Sequence, residues 1–130
     1  MDSKKAKASR EKGKRYELEL MHILRDFYGY GVRRGYVFQH ESDVIGLPGI
    51  HIECKAVEHL NLRKAYKQAV EEAQKRQDGT PVVFHHKARE GWLVTLSLED
   101  FMDMYGAWEA DGKRMDQTSQ KGYGESECPS

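Results

Sequence analysis

The stretch "SDVIGLPGIHIECKA", Ser42 to Ala56, decides how this chain is read. Ile45 and Ile50 flank "GLPG", whose glycines and proline make a tight reversal between two short strands. The predicted strands run from Asp43 to Ile45 and from Ile50 to Val57. Side chains alternate along a strand, so Glu53 and Lys55 share one face while Ile50, Ile52 and Cys54 take the other, toward a core. If "GLPG" folds the chain back, residue numbers that face each other sum to about 95 or 96. Asp43 then lies beside residues 52 and 53, and Asp43, Glu53 and Lys55 converge on one patch.

Two carboxylates held that close repel each other, and both stay ionised only with a cation between them. Paired acids suit a hard divalent ion such as Mg2+, with Mn2+ as an admissible substitute. The backbone carbonyl of Cys54, between the two side chains on the strand, offers another oxygen. A water activated by such an ion and oriented by Lys55 is a nucleophile for a phosphodiester. Lys55 also suits the charge that builds on the phosphate. The competing explanation is a structural ion pair of Lys55 with Asp43 or Glu53. Glu-x-Lys alone says little, because roughly one such triplet is expected by chance at this composition. The chain has one, and it lies on the strand behind Asp43.

Outward from this stretch, the predicted order is helix, three strands, helix, two strands, helix. The fold class is α/β, with a central mixed sheet flanked by helices. A first helix runs from Arg10 to Tyr28 with Ser9 as N-cap, its apolar face made by Tyr16, Leu20, Ile23, Leu24 and Phe27. "YVFQ" at 36–39 is the first strand. Asn61 caps a second helix over 62–77 that packs Leu62, Ala65, Tyr66, Ala69, Val70 and Ala73, and "DG" at 78–79 stops it. "PVVFHH" and "WLVTL" form a hairpin around "KAREG", and "SLED" at 97–100 opens the last helix as a capping box. The expected domains are a basic disordered arm at 1–9, a folded domain at 10–106 and a disordered polar tail at 107–130.

The 130 residues suffice for one domain, with 38% hydrophobic and 32% charged residues. No apolar run approaches a membrane span, and the start lacks a signal-peptide stretch. The two cysteines, Cys54 and Cys128, make a structural disulfide improbable, which fits a reducing cytoplasm. Net charge is zero, yet residues 1–15 hold five Lys and two Arg against Asp2 and Glu11. Lys4, Lys5, Lys7, Arg10, Lys12 and Lys14, followed by Arg33, Arg34 and Lys87, are candidate contacts to a DNA backbone. A merely solubilising arm is the alternative.

The spacing D-x9-E-C-K on a strand pair resembles the PD-(D/E)xK nuclease superfamily, with "SD" where "PD" is usual. "KGKRYELEL" at 12–20 is similar to the first helix of archaeal-type Holliday-junction resolvases, where a glycine is followed four residues later by a catalytic glutamate. That position is Glu17, at the edge of the apolar face. "GTPVVFHHKAREGWLV" resembles the late strand pair of those enzymes and of phage-encoded relatives. The resemblance implies a restriction-endonuclease-like domain and a catalytic set of Glu17, Asp43, Glu53 and Lys55. The metal ligands would be Asp43, Glu53 and the Cys54 carbonyl, with Glu17 acting through water. Gln68 is a possible accessory residue, although helical spacing favours a plain surface role. Glu19 is expected on the solvated face.

The implied activity is Mg2+-dependent hydrolysis of DNA to 5′-phosphate and 3′-hydroxyl ends by a homodimer, with a four-way junction as substrate, in the cytoplasm of a bacterial, archaeal or phage-infected cell. The alternatives are another nuclease of the superfamily, for nicking, repair or replication, or a non-catalytic DNA-binding module on the same fold.

Overall fold

A computed structural model describes residues 2–35 and 43–127, with side chains described within 4–35 and 43–112. Among these residues the order is α1 (Asp2–Tyr28), β1 (Arg33–Arg34), β2 (Val44–Ile45), β3 (Ile50–Lys55), α2 (Leu62–Arg76), β4 (Thr80–Lys87), β5 (Gly91–Thr95) and α3 (Leu98–Glu127). The strands lie in one mixed sheet in sequence order, β1 to β5. β3 and β4 run parallel, joined by the crossover helix α2, and the other neighbours are antiparallel. This is the predicted α/β class, and it has a restriction-endonuclease-like arrangement.

Residues 1–96 and 97–130 form two compact units. In the first, alternation along the strands gives each sheet face its own helix. One face carries Val44, Ile52, Val82 and Phe84, packed with Leu20 and Met21 of α1 and with Val32. The other carries Val83 against Ala65 and Ala69 of α2. Small alanines let that helix lie close to the sheet. α2 begins at Asn61 as expected, with the Asn61 side chain accepting from the Lys64 N–H at 3.1 Å. Its C-cap is Gln77, in the left-handed conformation, one residue before the expected "DG" stop. In the second unit, Ser97 Oγ accepts from the Asp100 N–H at 3.0 Å, which is half of the expected capping box.

Two expectations differ from the structure, and a third lies outside the described residues. α1 starts at Asp2, so residues 2–9 are helical and Ser9 is an interior residue. The run "KKAKASREKGKR" has high helix propensity without any apolar stripe, and the missing stripe had suggested disorder. α3 is helical through 107–127, where a disordered tail was expected, and its Gly-, Asp- and Ser-containing sequence carries no propensity signal for this. The first strand is Arg33–Arg34, paired with Ile45 and Val44. The predicted strand "YVFQ" lies outside the described residues.

Candidate active site

The β2–β3 register builds the site. Val44 faces Ile52, a sum of 96, and both are buried in the α1-facing core. That sets Asp43, at the mouth of β2, beside Glu53. Asp43 Oδ2 accepts from the Cys54 N–H at 2.8 Å, fixing the carboxylate against the strand edge. Glu53 is buried on the opposite face from Ile52, at a position paired with Val83 of β4.

The electrostatics follow from this crowding. Burial first, then the charges of Glu53 and Glu17, raise the Asp43 carboxyl, while the Cys54 N–H and Lys55 oppose the rise, and the net value is about 7. The four groups expected to act together therefore share one electrostatic environment. Burial first, then the negative charge of Asp43, Glu17 and Glu53, raises the Cys54 thiol well above its ordinary value. It stays protonated and is no nucleophile.

Each partner is held by a neighbouring element. Glu17 on α1 accepts two hydrogen bonds at Oε1 from Arg34, from Nη2 at 3.0 Å and Nε at 3.2 Å. Lys55 Nζ donates to Gln68 Oε1 on α2 at 3.1 Å. Gln68 is exposed, as the favoured surface role implies, and from there its side chain meets the Lys55 ammonium at the end of β3.

His51 and Asp78 were not singled out from the sequence. The His51 ring lies fully buried between two carboxylates, with Nε2 3.1 Å from Glu53 Oε1 and Nδ1 2.8 Å from Asp78 Oδ1. Burial alone would lower its pKa, but the hydrogen bonds and charges of Glu53 and Asp78 outweigh it and raise the pKa. The available signal was His-x-Glu, which puts His51 on the Glu53 face. Asp78 was read only as part of a helix stop.

The remaining candidates are spread more widely. Lys4, Lys5, Lys7, Arg10, Lys12 and Lys14 are exposed along the first half of α1. Arg33 donates from Nη1 to the Arg34 carbonyl at 3.0 Å. Arg34, expected at DNA, is engaged with Glu17. Lys87 ends β4, with Glu90 3.7 Å away. His85 and His86 face opposite ways as expected. His85 meets Thr95 at 2.9 Å, while His86 lies among Tyr16 and Trp92, with ring centroids 4.7 and 5.1 Å away. Glu19 is exposed, as expected, and accepts from Trp92 Nε1 at 3.0 Å.

PD-(D/E)xK nucleases generally use divalent metals. Among the described residues, no three His, Cys, Asp and Glu side chains group as a metal cluster. Asp43 and Glu53 nevertheless suit a hard cation, since both offer carboxylate oxygens and the neighbouring negative charge raises Asp43. No helix of the described residues is long and apolar enough to cross a membrane. No curated protein matches the chain. The family described as "Phage putative PDDEXK endonuclease" matches residues 8–125, which take in Glu17, Asp43, Glu53 and Lys55, and the chain belongs to that family of PD-(D/E)xK nucleases.

Proposed function

We propose that this nuclease is a Mg2+-dependent DNA endonuclease that cuts branched DNA, with a four-way junction as its preferred substrate. The observation that carries this reading is the convergence of Asp43, Glu53 and Lys55 at one strand pair, where Glu53 helps to raise Asp43. Asp43 and Glu53 would hold the ion. In a strand, the N–H and C=O of one residue leave by the same edge, so the Cys54 carbonyl lies on the edge whose N–H meets Asp43 and can serve as a further oxygen. When bound, the ion supplies activation of water and neutralisation of phosphate charge.

The other roles belong to the side chains. Lys55, steadied by Gln68, lies beside the carboxylates to meet charge on the phosphate. Glu17, steadied by Arg34 and close enough to raise Asp43, would act through water. The bond broken is between phosphorus and the 3′ oxygen, leaving a 5′-phosphate and a 3′-hydroxyl. Two symmetric cuts in a four-way junction need two related sites, which a homodimer provides. The exposed lysines of α1 supply sequence-independent backbone contacts. A DNA-binding module without chemistry gains nothing from adjacent carboxylates facing phosphate.

A substrate panel tests the specificity. Four-way junction, nicked, flapped and linear duplex DNA are each incubated with the chain in Mg2+. Paired cuts across the junction, with the linear duplex spared, are expected. Equal cutting of linear duplex would overturn the junction preference and favour a general endonuclease of the same superfamily.

A further inference from the structure

We propose that Asp78 and His51 form a positioning relay that locks Glu53 in the orientation needed for a divalent cation. This deepens, and rests on, the reading of Asp43 and Glu53 as the cation site. Alternation along β3 places His51 and Glu53 on one face, two residues apart, so the imidazole lies alongside the carboxylate. Carboxylate oxygens only accept, so the ring is the donor to Glu53 Oε1 at 3.1 Å. Asp78 Oδ1, 2.8 Å from the opposite ring nitrogen, fixes the ring orientation. The His51 side chain is 0% exposed and that of Glu53 8%, whereas Asp78 is 32% exposed in the turn between α2 and β4. The relay thus ties a buried carboxylate to the connection between α2 and β4.

Two consequences make this more than ordinary satisfaction of a buried acid. The hydrogen bond occupies Oε1 and leaves Oε2 as the oxygen for the ion. It also restricts Glu53 before the ion arrives, so the ordering of a long side chain is not charged against binding. Hydrogen-bond partners of metal ligands typically contribute a factor of about 10 to 100 in metal affinity. A purely structural partner would contribute to stability and leave affinity unchanged in any variant that folds.

Mn2+ is the probe, titrated by calorimetry into the full chain without DNA, with a circular-dichroism melt of each variant. The set is wild type, His51→Leu, His51→Gln and Asp78→Ala. Wild type should bind. The Leu variant should bind about 10- to 100-fold more weakly. The Gln variant should recover most of this, because its amide nitrogen reaches the place of Nε2 and donates to Glu53. Asp78→Ala, at a half-exposed turn position, should keep the fold and weaken binding, so it decides the matter if the Leu variant does not fold. Wild-type affinity in a folded His51→Leu or Asp78→Ala chain would overturn the relay while leaving the cation site standing. A Gln variant no better than the Leu variant would also overturn it. A wild-type chain that binds no Mn2+ would overturn the cation site, and the relay with it.

Discussion

Asp43 is ionised at neutral pH only against its surroundings. Its carboxyl is raised from 3.8 to about 7, chiefly by burial and by Glu53. Between those two values the folded chain binds a proton that the unfolded chain has released, so stability falls as pH rises through that window. The loss should reach a few kcal/mol in chelator. Asp43→Asn removes it while its amide oxygen still accepts from the Cys54 N–H. In chelator, the Asn variant should melt above wild type at pH 8 and level with it near pH 4. Lys55→Ala should slow cleavage about a hundredfold or more. Gln68→Ala should cost less, because it removes only the steadying bond, and single-turnover rates on one junction rank the two. The clustering of Asp43, Glu53 and Lys55 was legible in the sequence because alternation and a tight turn are local rules. The partners of these residues were not. Asp78 reaches His51 across 27 residues, and Arg34 reaches Glu17 across 17, by tertiary packing that no local rule encodes.

At the scale of elements, the crossover from β3 through α2 to β4 holds Glu53, Lys55 and Gln68. Asn61→Ala should lower stability by about 1 kcal/mol through loss of the helix cap, measured by urea unfolding. Gly79→Ala should cost more. Gly79 has φ +131°, and an added Cβ would lie 2.6 Å from the Gly49 carbonyl carbon and oxygen. That carbonyl also accepts from the Thr80 N–H at 2.8 Å, so the substitution strikes where β3 and β4 begin to pair. The caps and the β4–β5 hairpin were readable from Asn61, Ser97 and "KAREG", whose chemistry is local. Arg33–Arg34 was not read as a strand, because it pairs with β2 through its backbone and carries no apolar signal. The start of α1 was missed because an exposed lysine-rich helix has propensity without periodicity.

For the whole molecule, zero net charge conceals a division between an exposed basic helix start and an acidic site. Removing residues 1–9 takes away Lys4, Lys5 and Lys7 and shortens α1 by its exposed end. Affinity for a junction held uncleaved in Ca2+ should fall, and the slope of log affinity against log salt should flatten by up to about 3. The cut position should not move, since the site lies on the strands, and an unchanged slope would leave these lysines a solubilising role only. The most direct test of the chemistry is single-turnover cleavage of a labelled four-way junction in Mg2+ by wild type, Asp43→Asn and Glu53→Gln, with binding checked in Ca2+. Wild type should cut, and stop cutting in chelator. Both variants should bind the junction as wild type does and cut about a hundredfold more slowly or less. Cleavage at the wild-type rate by either variant would contradict the assignment of Asp43 and Glu53 as the catalytic pair.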